Sequence, residues 1–373
     1  MHFDNVRRKY SLGKEINKKI VFEDGTEFLG TGFGSDVEKV MEIVFNTTMV
    51  GYQEIISNPV YTSKMMLMTY PLIGNCGIVD EDFEAKNTAI GGLIVREYND
   101  SPSNFRYSKT LSELLEENNI PAIEGVDTRK MFKKLRDEGL GKVIITDINT
   151  PTNEAMDKIK NTIIERNLAS KMASKRWYAR TSKHTFSVLA IDCGLKKSEI
   201  KALNDRSCNV TIMPWTITDE EIRFINPDGV YITNGPGRAE EAQVVVDKVK
   251  NLIGKYPIGG TGLGCQIIAL AYGATTSCMK LGHHGFNHPV KNLINGKIET
   301  TNQSHSYTID KNSIKGTPLE ITHINLLDDT IEGIACKEDR AVGVEFHPAL
   351  KASGENISFY DQFISLMKEV KNA

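Results

Sequence analysis

An apolar run, Tyr256-Pro257-Ile258, enters the glycine-rich stretch GGTGLGCQ at residues 259–266, and a second apolar run, Ile267 to Ala271, leaves it. This pattern predicts a strand that reverses sharply into a helix, because glycines let the backbone double back and hold one side chain out at the helix start. The residue at the tip of such an elbow is ordinarily a nucleophile, cysteine or serine. Here the tip is Gly262, which has no side chain. The stretch therefore constrains the fold strongly and argues against nucleophilic chemistry at its tip.

At 373 residues the chain is longer than one ordinary domain, so two are expected. A net charge of −3 supplies no electrostatic attraction for nucleic acid or an anionic membrane, and neither is expected as a partner. No apolar run is long enough to span a bilayer, and the polar N-terminus lacks the apolar core of a secretory signal. Six cysteines (Cys76, Cys193, Cys208, Cys265, Cys278 and Cys336) show no framework spacing, which suggests reduced thiols and a cytoplasmic setting.

The organisation is α/β in two parts. Residues 1–147 mix short strand-like runs with helices: a hairpin around Asp24-Gly25, periodic helices at 111–119 and 128–139, and a closing strand at 142–147. Residues 148–185 are polar and read as a connector. From 186 to 373, strands such as FSVLAID, NVTIMPW and DGVYITN alternate with helices, as in a doubly wound parallel sheet with its site at the strand ends.

Loops fall at predicted strand ends in a telling order: TNGPG (233–237), GTGLGCQ (260–266), GHHGFNHPV (282–290), NQSHSY (302–307) and GVEFHPA (343–349). The order resembles a class I glutamine amidotransferase domain. In that family an elbow cysteine attacks the glutamine amide, a late histidine is the base, and a glutamate two residues on orients it. VFNTTMVGYQEIISNPVYTSKMMLMTYPLIGNCGI (44–78) and PAIEGVDTRKMFKKLRDEG (121–139) narrow the resemblance to the small subunit of carbamoyl-phosphate synthase, over about residues 19–370.

Carried over residue by residue, the resemblance fails at several positions. The nucleophile position is Gly262; the base position holds His347, but its glutamate position is Ala349. The family's NGPGDP loop reads NGPGRA, with Arg238 in place of the acid, while Gly235 and Gly237, near which substrate and oxyanion are held, are kept. Leu263 and Gln266 are also kept, whereas the family's histidine before that glutamine is Cys265. The glutamine-binding QNHG plus an aromatic residue becomes Gln303-Ser304-His305-Ser306-Tyr307, and Thr48 stands where the family has a serine that reaches toward glutamine.

Cys265 lies three residues beyond the tip, about 300° of helix rotation and roughly 4.5 Å of rise away. Its place near a helix N-terminus is expected to lower its thiol pKa. The spacing of Cys278, His283, His284 and His288 is not a usual structural zinc pattern, and no metal is expected. Three readings stand. The chain is a glutaminase-silent subunit organising an ammonia-dependent synthetase, an active glutaminase using Cys265, or a glutamine or metabolite sensor built on the dead pocket. The resemblance implies a large-subunit partner that carries ATP and Mg²⁺ and feeds pyrimidine and arginine synthesis. No cofactor is expected in this chain, and glutamine is expected at most as a weak ligand.

Overall fold

The structure, a computed structural model, describes residues 10–11, 14–172, 176–348 and 358–372. The chain parts into two compact units at Glu165/Arg166. Among the described residues, no helix is long and apolar enough to cross a membrane.

The N-terminal unit is built on a closed barrel of β1 (Lys18–Phe22), β2 (Glu27–Gly34), β3 (Val40–Asn46), β4 (Met65–Met68), β5 (Gly92–Ile94), β6 (Pro121–Glu124) and β7 (Lys142–Asp147), ordered β6-β2-β1-β7-β3-β4-β5. The β1–β2 hairpin turns at Asp24-Gly25, where Gly25 takes φ +81° and Asp24 Oδ1 accepts the Thr26 N–H at 3.0 Å. Strand β4 pairs in parallel with β3 and β5 on either side. All four of its side chains are buried, as its unbroken MMLM run requires.

The stretch expected as a connector divides between the units instead. Helix α1 (Thr152–Asn161) places Ala155 and Ile159, one turn apart, against Val21 and Ile144 of the first unit. Helix α2 (Leu168–Met172) belongs to the second unit, where the Ser170 carbonyl accepts the Trp215 indole N–H at 3.3 Å. Strand β8 (Trp177–Ala179) joins the second unit's sheet at its edge.

That sheet has ten strands. Five run parallel at its centre: β9 (Phe186–Asp192), β10 (Cys208–Pro214), β11 (Gly229–Ile232), β12 (Ile258–Thr261) and the later Ala341–Val344. Strands β13 (Thr276–Asn292), β14 (Ile298–Ile309), β15 (Glu320–Asn325) and β16 (Ile331–Cys336) extend it antiparallel, with Ala341–Val344, hereafter β17, joining the two halves. Helices α3 (Lys197–Asn204), α4 (Gln243–Leu252) and α5 (Leu263–Ala271) follow β9, β11 and β12. Helix α4 buries Val245, Val246, Val249 and Leu252 along one stripe, and α5 is buried over nearly its whole length.

The loops GHHGFNHPV and NQSHSY are not loops. They lie within β13 and β14, where His283 faces His305, His284 faces Ser304 and Gly285 faces Gln303. Register shifts between Cys278 and His283 and between Gly285 and His288, with Gly282 at φ +74°, interrupt the alternation that would mark a strand.

Candidate functional site

The elbow forms where the sequence places it. Gly262 caps α5 at φ +51°, ψ −117°, and its N–H donates to the Val344 carbonyl of β17 at 2.8 Å. Any other residue would be strained there. Gly264 is required for a different reason, since a Cβ on it would lie 2.2 Å from the Ile232 carbonyl oxygen.

The space above the tip belongs to Asn234, at the end of β11. Its Oδ1 accepts the N–H of Leu263 at 3.0 Å and that of Gly235 at 2.8 Å. A Cβ on Gly262 would meet the Asn234 carboxamide at 2.3–2.5 Å. Its backbone is held in turn: Thr233 Oγ1 accepts the Cys193 N–H at 2.9 Å, and a Cβ on Gly235 would stand 2.2 Å from the Cys193 carbonyl oxygen. The N–H following an elbow nucleophile is the usual oxyanion donor. Here that donor, on Leu263, already has an acceptor from within the chain.

His347 is tied into the same region. Its backbone N–H donates to Asn302 at 2.8 Å, and its Nε2 stands 3.2 Å from the Ser198 hydroxyl at the start of α3. Its Nδ1 has no hydrogen-bond partner among the described residues. Burial, and then the charge of Lys196, hold the imidazole pKa well below its ordinary value, so the ring is neutral at pH 7. Ala349 lies outside the described residues, as does everything from there to residue 357.

Gln266 is committed internally. Its Nε2 donates to the Tyr307 carbonyl at 3.0 Å and to Glu345 Oε2 at 3.0 Å. Glu345 is 1 % exposed, and burial followed by the charge of Glu332 pushes its carboxyl pKa well up. Ser306 Oγ lies 3.2 Å from His284 Nε2, and Ser304 is buried opposite His284. Gly237, at φ +93°, turns the loop toward Arg238, which reaches Tyr307. Thr48 is in the N-terminal unit. Its N–H donates to Asn46 Oδ1 at 2.8 Å, and its buried hydroxyl has no partner among the described residues.

The expected lowering of the Cys265 pKa is overturned. The thiol is 0 % exposed, packed where α5 meets Gly343 of β17. Burial, then the charges of Glu345 and Glu332, push it well above its ordinary value. Desolvation and acidic neighbours outweigh the helix dipole because no solvent reaches the sulfur.

His283, His305 and Glu332 bring their donor atoms within 4.8 Å of one another, the one group of this kind among the described residues. Hydrogen bonds hold each of the three, while the buried Glu332 Oε2 has no hydrogen-bond partner among the described residues. His283 Nδ1 faces Glu332 Oε1 at 3.2 Å and its Nε2 faces Asp328 at 3.0 Å, while His305 Nδ1 donates to the Tyr307 carbonyl at 2.8 Å. Burial opposes charging His283, but the Glu332 hydrogen bond and the charges of Glu332 and Asp328 prevail and raise its pKa. Asn325 Nδ2 also donates to Glu332 Oε1, at 3.1 Å.

Neither Asn234 nor Ser198 was singled out from the sequence. Asn234 stands in the quoted TNGPG loop, but only the side-chain pose shows that it fills the space left by Gly262.

A strand–elbow–helix in a parallel sheet, with a histidine after the last parallel strand, defines the class, and residues 189–366 match the description "Glutamine amidotransferase class-I". Residues 20–145 match "Carbamoyl-phosphate synthase small chain, CPSase domain". The chain is 43 % identical over 353 residues to the carbamoyl phosphate synthase small chain of Staphylococcus epidermidis, covering 94 % of this chain and 96 % of that one. It is 41 % identical over 349 residues to the small chain of Fusobacterium nucleatum, covering 93 % and 97 %. The chain belongs to the carbamoyl-phosphate synthase small chain family.

Proposed function

We propose that this chain is a glutaminase-silent small subunit, which docks on a carbamoyl-phosphate synthase large subunit that draws nitrogen from free ammonia. The observation that carries the reading is Gly262 with Asn234 over it: the elbow offers no nucleophile, and its donor N–H groups are occupied. Similarity over both units supports retention of the partner, since the N-terminal unit contains no part of the elbow. ATP and Mg²⁺ then belong to the large subunit, and carbamoyl phosphate for pyrimidine or arginine synthesis is the product. Six free cysteines accord with a cytoplasmic setting.

The Cys265 reading is disfavoured by the burial and raised pKa of that thiol. The sensor reading needs glutamine to reach donors that Asn234 occupies. The test is to assemble the chain with its large subunit and measure carbamoyl phosphate formed from ammonium and from glutamine. Ammonium-supported synthesis without glutamine-supported synthesis is expected. Glutamine-supported turnover overturns the reading.

A further inference from the structure

Glutamine and Asn234 carry the same reacting group, a primary carboxamide. In a working elbow the carbonyl oxygen of the substrate amide turns toward the N–H after the nucleophile, and its carbon stands beside the nucleophile. Asn234 reproduces that arrangement from inside the chain. Its Oδ1 accepts the Leu263 N–H at 3.0 Å, and its Cγ stands 2.4 Å from where a residue-262 Cβ would be. We propose that Asn234 is a tethered pseudo-substrate, whose carboxamide occupies the amide position of the elbow and closes it to free glutamine.

Three observations support the assignment. A contact of 2.3–2.5 Å is closer than Cβ atoms come to non-bonded neighbours, so only glycine at 262 permits this pose. Loss of the side chain at 262 therefore did two things at once: it removed the nucleophile and admitted the plug. Next, the backbone that carries Asn234 is fixed, because Gly235 is pressed against Cys193 and the Asn234 carboxamide accepts the Gly235 N–H at 2.8 Å. Finally, Asn234 is 5 % exposed, so its short side chain is already ordered in the site.

Tethering sets the strength of the competition. A group held in place by the chain acts at an effective concentration far above the millimolar range. Free glutamine must displace it while leaving the carboxamide with poorer hydrogen bonds. The inference rests on the silent-glutaminase reading only for the identity of the ligand excluded; the contact itself is independent of it.

The test uses the full chain in three forms: wild type, Asn234→Ala and Asn234→Asp. L-Glutamine binding is followed by calorimetry, and hydrogen–deuterium exchange is followed in the peptides that carry Gly235 and Leu263. Asn234→Ala removes the plug and is expected to bind glutamine at least about tenfold more tightly than wild type, with exchange at Leu263 faster by a similar factor. Asn234→Asp keeps an acceptor over both N–H groups and is expected to remain closed. Equal affinity in wild type and Asn234→Ala, including no binding by either, overturns the proposal, as does unchanged exchange at Leu263. Should Asn234→Ala fail to fold, Gly262→Ala evicts the carboxamide by collision, and unchanged exchange at Leu263 in that variant overturns the proposal equally. Glutamine-supported synthesis by the wild-type complex would instead overturn the functional reading, so the two failures are distinct.

Discussion

Arg238 donates its Nε–H to the Tyr307 hydroxyl at 2.7 Å, and its guanidinium carbon stands 5.1 Å from the centre of that ring. Arg238 thus ties the loop after β11 to β14. The pair is solvent-exposed, so its contribution is modest, about 0.5–1 kcal/mol. A double-mutant cycle of Arg238→Ala and Tyr307→Phe in urea is expected to return a coupling of that size. Independence of the two changes would contradict the pairing.

Gly262→Cys alone is expected to restore no glutaminase. The new Cβ collides with Asn234, and φ +51° disfavours a side chain, so the variant loses roughly 1–3 kcal/mol of stability. Part of that loss should disappear when Asn234→Ala is added, which removes the collision but leaves the backbone strain. Denaturant midpoints for the single and double variants measure both terms.

The thiols should separate sharply in reactivity. Cys76 and Cys278 are exposed, while Cys193, Cys208, Cys265 and Cys336 are buried. Iodoacetamide at pH 8, followed by peptide mass spectrometry, is expected to label the first two in the native chain and to leave Cys265 untouched until the chain is unfolded. Fast native labelling of Cys265 would revive it as a nucleophile.

Glu345 and His323 make opposite pH predictions. The folded pKa of Glu345 is raised by burial and by Glu332, so its stabilising share is full below its unfolded pKa and is lost as pH rises. Glu345→Gln keeps the shape and removes this loss; it is expected to stabilise the chain at pH 8 by more than about 1 kcal/mol, with the gain shrinking toward pH 4.5. His323 is 4 % exposed, and burial holds its pKa down to about 4 from an ordinary 6.5. Its share is therefore present above pH 6.5 and lost as pH falls toward 4, about 3 kcal/mol over that window. Urea unfolding of wild type and His323→Gln at pH 4.5 and 7 should show a smaller pH difference in the variant.

Much of the second unit was legible in the sequence because its parallel strands are buried on both faces and read as unbroken apolar runs, as in β9 and β11. The elbow was legible for a steric reason, since a Cβ at position 264 would strike the Ile232 backbone, and its glycines mark the reversal. Strand β13 and the first half of β14 were hidden by register shifts and by histidines that face inward to one another instead of outward to solvent. The division of the connector was hidden because two buried side chains, Ala155 and Ile159, are enough to dock α1. The Cys265 expectation used helix position alone; the acids near the thiol, Glu332 in β16 and Glu345 just after β17, lie far away in sequence. Asn234 was hidden most completely, because a loop asparagine becomes a plug only through the void that Gly262 leaves.

The most direct measurement of the central claim is ammonia release from glutamine by the chain assembled with its large subunit, run beside carbamoyl phosphate synthesis from ammonium. The account predicts synthesis from ammonium and no ammonia release above the rate of the large subunit alone. Release that depends on this chain, and that a Cys265→Ser substitution abolishes, would contradict it.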